Sequence, residues 1–139
     1  MRLSMVLNQC INLLMTRAQQ VVHQQFRTRL SALGVTPVQY AVMSALWKED
    51  NLTPSQIAAA ISLDSSTVTG ILDRLENKNL LKRMPDPNDR RALRVVLTEE
   101  GRALEKPLMQ VIVECNETVM EVFTKEEQET LVRLLQRLA

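Results

Sequence analysis

Four hydroxyl side chains crowd into five positions, Ser65, Ser66, Thr67 and Thr69, and a short charged run, Asp89, Arg90 and Arg91, follows further along. A hydroxyl can donate to or accept from a phosphate or a base edge. Arginine suits the narrow, negative channel of a minor groove. Taken alone, the hydroxyls serve equally well as capping groups at a helix start, and the charged run as a solvated loop. The two together favour contact with nucleic acid. Arg74, on the outer side of the same segment, and Arg83, just before the charged loop, complete the candidate DNA-contacting set. Catalytic chemistry is harder to assemble. There is one His, no GxSxG, no phosphate-binding loop among only three Gly, and no metal-ligand spacing. No nucleophile–base pair can be proposed, so no enzyme activity, cofactor or metal is expected. Cys10 and Cys115 lie far apart and outside any CxxC pattern, which reads as two reduced thiols.

These groups need elements to position them. Leu3, Leu7, Cys10, Leu14 and Val21 recur close to the helical period, predicting one helix from about Leu3 to Leu33, stopped by Gly34. Thr36-Pro37 opens a second helix, a Thr cap followed by Pro at the first helical position, closed by Asp50-Asn51. Thr53-Pro54-Ser55-Gln56 is a full capping box, opening a short Ala-rich helix. A tight Ser62-Leu63-Asp64 connection leads to a helix from about Ser65 to Asn79. Its apolar stripe, Val68, Ile71, Leu72 and Leu75, leaves the hydroxyls outside. Gly70 on that outer face permits close backbone approach.

MPDPNDRR then reads as a loop, between an LKR strand and ALRVVLT, where Leu93, Val95 and Leu97 alternate as in a strand. That makes a hairpin with a basic tip. Thr98-Glu99-Glu100 starts a further helix carrying a heptad-like seam, Leu104, Leu108, Val111, Cys115, Thr118 and Val122, bent near its start by Pro107. Thr124 and Glu127 form a second capping box for a final helix with Leu131, Leu134, Leu135 and Leu138 apolar. The expected fold is mainly α with a small β-hairpin wing, a winged helix-turn-helix.

Composition agrees with an ordinary globular chain: 139 residues, 45% hydrophobic, 24% charged and only 3% aromatic. No apolar run approaches the roughly 20 residues that span a bilayer, and the polar-interrupted start makes a poor signal peptide. A cytoplasmic location with no membrane partner is expected. The net charge of +1 hides an asymmetry: +4 over residues 1–33, −1 over 34–63, +2 over 64–97 and −4 over 98–139.

The stretch SSTVTGILDRLENKNLLKRMPDPNDRRALRVVLTEEG resembles the recognition helix and wing of the MarR family of bacterial regulators. The signature is D-x-R at the wing, Asp89-x-Arg91, then a strand ending in L-T-x-x-G, Leu97 to Gly101; Thr36 to Tyr40 also matches. The resemblance implies six helices with a hairpin between the fourth and fifth, and both chain ends in an intertwined dimer. It implies that Arg91 enters the minor groove with Asp89 orienting it. Members often carry Arg where this chain has Gly70, and Gly where it has Asn79; the first departure removes a DNA contact, and the second is tolerable because Asn accepts a left-handed conformation.

A single domain follows, with residues 1–33 and 102–139 as dimerisation helices and 34–101 as the DNA-binding lobe. Physics supports the dimer too. A winged-helix module of about 65 residues buries little core, and both end segments expose apolar stripes. Two-fold symmetry would set the recognition helices about one DNA turn apart on an inverted-repeat operator. By resemblance the homodimer represses transcription and releases DNA on binding a small-molecule effector, with Arg17, His23, Tyr40 and Trp47 as candidate effector contacts. Each also has a plainer reading, Trp47 as core and His23 as a surface or packing residue. Two alternatives stay open: oxidation sensing through Cys10, as a redox branch of the family implies, and a winged helix used only for protein–protein contact.

Overall fold

The structure is a computed structural model describing residues 2–139. Eight helices and one hairpin run in the order α1 (Arg2–Asn8), α2 (Ile11–Ser31), α3 (Pro37–Lys48), α4 (Pro54–Ile61), α5 (Ser65–Asn77), β1 (Leu81–Pro85), β2 (Leu93–Leu97), α6 (Glu99–Ala103), α7 (Glu105–Met120) and α8 (Lys125–Leu138) among the described residues. The chain divides into two compact units. Leu30–Gln110 forms one; residues up to Arg29 together with Val111–Ala139 form the other.

The first of these is the winged helix-turn-helix lobe. Thr36 and Thr53 cap α3 and α4 through full capping boxes, each with Pro in the first turn, as their sequences require. Ser62 ends α4 in the left-handed region at φ 56°, and its neighbour's amide, Leu63 N–H, returns to the Ala58 carbonyl. That tight turn redirects the chain into α5, which packs against α4 in the same core. The strands pair antiparallel, with Leu81 opposite Leu97 and Pro85 opposite Leu93. Met84 and Pro85, expected in the loop, belong to β1: Pro85 ends its strand, where a missing N–H costs no ladder bond. Leu52 adds a single bridge to Val95, its N–H and carbonyl both bonded. The core gathers Val42, Met43 and Leu46 of α3, Ile57 of α4, Val68, Leu72 and Leu75 of α5, and Leu81, Val95 and Leu97 of the hairpin.

The predicted single first helix is instead two. Gln9 and Cys10 donate back to Val6 and Leu7 with the tighter i to i−3 spacing, and Cys10 accepts the Leu14 N–H, so α2 begins afresh. No Gly or Pro marks this break. The helix after the hairpin also divides, at Leu104, because Pro107 has no N–H to give the Ala103 carbonyl and its ring crowds it. The predicted seam is shorter than expected: Leu108 and Cys115 are buried and Leu104, Val111 and Thr118 half-buried, with Ile112 buried in place of Val111, whereas Val122 lies beyond α7 and is 77% exposed.

In the second unit, Arg29 donates to the Thr118 hydroxyl at 2.7 Å. The Gln128 amide donates to the carbonyls of Met120 and Phe123, closing the turn between α7 and α8. Thr124 and Glu127 form the expected capping box.

Candidate nucleic-acid interface

Helix α5 is positioned by its buried stripe, Val68, Ile71, Leu72 and Leu75. The opposite side is left exposed, with Ser65, Ser66, Thr67, Thr69, Asp73 and Arg74 all facing out. The helix start is organised by Asp64, which the sequence places only in the preceding turn. Its Oδ1 accepts the Thr67 N–H at 2.7 Å and the Ser66 hydroxyl at 2.7 Å. These bonds favour the charged form and bring its pKa down to about 2, the Thr67 N–H being the largest cause. An Asp three residues before an amide it caps was a readable signal. The Thr69 hydroxyl donates to the Ser65 carbonyl at 2.9 Å, leaving its oxygen as an acceptor.

The hairpin tip is built by two carboxylates. Asp89 Oδ1 accepts the Arg91 backbone N–H at 2.9 Å, and the Asp89 carbonyl accepts the Ala92 N–H. Asp89 therefore shapes the turn that carries Arg91 rather than pairing with its guanidinium. Asp86, unnoticed in the sequence, accepts the Asn88 N–H at 2.8 Å and the Arg94 Nε at 3.0 Å. Both depress its pKa, the Asn88 bond most. Arg94 also reaches the Asn51 carbonyl at 3.2 Å, tying the wing base to the end of α3. Arg90 and Arg91 are exposed, and among the described residues neither has an ion-pair partner.

Arg83 has a different setting from its companions. Its Nη2 lies 2.6 Å from Asp73 and 3.3 Å from Glu76, and its backbone N–H donates to Glu76 at 3.0 Å. The Glu76 hydrogen bond leads the causes that raise the guanidinium pKa, while the Arg83 N–H leads those that lower Glu76. The side chain clamps β1 to α5, so its charge is already matched within the chain. Lys78 is similarly occupied, donating to the Gly34 carbonyl and to Gln39 Oε1. Asn79 adopts φ 60°, the left-handed turn expected of that position.

Residues 35–93 match the model of the MarR family. The multiple antibiotic resistance protein MarR of Escherichia coli is 31% identical over 109 residues, covering 78% of this chain and 76% of that protein. The chain belongs to the MarR family. The HTH-type transcriptional regulator PecS of Dickeya dadantii is 41% identical over 86 residues, which are 62% of this chain but only 52% of PecS, about half its length. Among solved structures, a probable transcriptional regulator from Pseudomonas aeruginosa superposes with a TM-score of 0.90 at 31% identity, covering 96% of this chain and 99% of that one. A MarR variant from E. coli, solved with operator DNA, superposes with a TM-score of 0.86 at 29% identity, covering 96% and 97%. The relatives named are transcriptional regulators, not enzymes. Among the described residues no helix of this MarR-family chain is long and apolar enough to cross a membrane.

Of the four candidate effector residues, Tyr40 and Trp47 come together in the lobe, ring centroids 6.4 Å apart and tilted by 57°. Burial raises the Tyr40 phenol above its ordinary pKa. The Trp47 indole N–H donates to the Gly101 carbonyl at 2.9 Å, which fixes its ring against the start of α6. Arg17 and His23 are exposed on α2, in the other unit. Cys10 is half-buried at the start of α2, and burial pushes the Cys115 thiol up.

Proposed function

We propose that this chain is a DNA-binding transcriptional repressor that grips an inverted-repeat operator as a homodimer. The observation that carries the reading is the pairing, within one lobe, of an outward hydroxyl face on α5 with two wing-tip arginines whose side chains have no ion-pair partner among the described residues. A charge left unmatched and held out on a braced turn is suited to a phosphate or a minor groove. The hydroxyls of Ser65, Ser66, Thr67 and Thr69, with Arg74 behind them, suit the major groove. Arg83 belongs to this surface as the clamp that sets the wing against α5, and Asp89 as the residue that shapes the turn under Arg91.

The dimer reading rests on the apolar surface of the second unit. Leu3 is 73% exposed and Leu138 69%, with Val6, Ile11, Leu14, Val132 and Leu135 also outside. Apolar side chains gathered in this way on the helices of one unit call for cover, and a second copy of the same helices is its natural source. Two-fold symmetry then pairs two α5 helices with two half-sites. A small-molecule effector, met within the lobe by the Tyr40 and Trp47 rings, would act by favouring a dimer whose lobes no longer match the half-site spacing.

The test is binding to a library of random duplexes followed by titration of the selected site against salt. The expected result is an inverted repeat whose affinity falls steeply as salt rises, because neutralised phosphates release counterions. Absence of duplex binding at low salt would leave the protein-contact module as the function.

A further inference from the structure

The three glycines of this chain differ in one respect. Gly34 adopts φ 71°, a left-handed conformation that side chains resist. At Gly101 a Cβ would lie 2.0 Å from the Leu80 carbonyl oxygen, so no side chain fits. Both are required by the chain itself. Gly70 is required by nothing inside it. It sits in the body of α5 with φ in the ordinary negative range, and a Cβ built there meets nothing within 4 Å. A glycine inside a helix destabilises it relative to alanine. Here it does so in the middle of the element whose outer face carries Ser66 one turn earlier and Arg74 one turn later.

We infer that Gly70 is a specificity-determining position: the notch it leaves on α5 admits a base-edge group in the major groove closer to the helix backbone than any side chain would allow. The inference rests on the proposed DNA binding. It follows from the open space beside the glycine, where nothing among the described residues calls for one, and from its place between exposed hydroxyls and a cation. Ser66, Thr67 and Arg74 border the notch. A group seated there would lie within their reach, so the same position governs both approach and hydrogen bonding.

Gly70→Ala tests this with opposite signs in two measurements. Thermal unfolding of the full chain should move up by a few degrees, as a helical glycine is replaced. Affinity for the operator selected by the wild-type protein should fall by about tenfold or more, the size of a mismatched base pair. Affinity for random duplex should stay the same, and the salt dependence should be unchanged because no charge is lost. A variant that is more stable and binds the operator as well as wild type would overturn the inference while leaving the DNA-binding function standing. An equal loss on operator and random duplex would overturn it too, since the notch would then not read sequence. A wild-type protein that selects no duplex would remove both the function and this inference.

Discussion

Gly101 closes the L-T-x-x-G signature, and Gly101→Ala should be among the most damaging single substitutions in the lobe. The added Cβ would stand 2.0 Å from the Leu80 carbonyl oxygen, 3.1 Å from its carbon and 3.3 Å from Leu97 Cδ2. The nearest obstacle is backbone, so relief requires α6 and the Leu80 peptide to separate by more than about 1 Å, since carbon–oxygen contacts settle at roughly 3.3 Å. Three hydrogen bonds fix the start of α6, the first of them to the Leu80 peptide itself. Thr98 N–H donates to Leu80 O at 3.2 Å, Gly101 N–H to the Thr98 hydroxyl at 3.0 Å, and Trp47 Nε1–H to Gly101 O at 2.9 Å. Overpacking against a rigid neighbour costs about 1–3 kcal/mol, and each weakened bond about 1 kcal/mol. A loss of about 3–5 kcal/mol follows, a large share of the roughly 5–15 kcal/mol that a domain possesses. At about 4–8 °C per kcal/mol, Tm should drop by roughly 12–40 °C. Circular dichroism melts and urea titrations of wild type and variant measure this. Trp47→Phe provides an internal check, removing one of the three bonds while keeping an aromatic ring. The double variant should lose less than the sum of the singles, because the shared bond is counted once. A Tm within about 5 °C of wild type for Gly101→Ala would refute the close-approach argument.

Further outcomes follow from the same geometry. Arg91→Ala should weaken operator binding several-fold and lower the salt slope by about one charge, with the dimer mass unchanged; unchanged affinity would remove the wing from the interface. Leu14→Glu combined with Leu135→Glu, both at exposed apolar positions, should turn a dimer into a monomer by sedimentation without unfolding the lobe; a double variant that stays dimeric would show that these faces are not the contact. Asp64 is held at about 2 in the folded chain, below its ordinary 3.8, so it contributes stability that is full above about pH 5 and is lost as pH falls toward 2. Asp64→Asn should therefore flatten part of the acid limb of a stability–pH profile, and superimposable profiles would count against the cap.

Much of the lobe could be read along the chain because its signals are local. A Thr cap and a Gln or Glu three residues on act through backbone groups within one helical turn; the boxes expected at Thr53 and Thr124 form, and Thr36 with Gln39 makes a third where the sequence predicts only a Thr cap before Pro. The alternation of Leu93, Val95 and Leu97 set the strand, and the stripe on α5 set which face turns inward. Even the left-handed Asn79 was accessible, since few residues other than Gly accept that conformation.

Other features depend on which elements meet, and no window of sequence contains them. Arg83 carries the same charge as Arg90 and Arg91, yet it sits between Asp73 and Glu76, whereas among the described residues those two have no ion-pair partner at the tip. Only the packing of β1 on α5 makes that distinction. Gly101 and Gly70 are the same residue type, but one faces a carbonyl and the other open space. The break at Gln9 and Cys10 has no local breaker to announce it. Capping and periodicity are short-range forces written into neighbouring residues, so the sequence alone determined the elements and their inward faces. Charge neutralisation and close approach are properties of pairs brought together by folding, so the tertiary structure alone decided which arginines remain available and which glycine has space beside it.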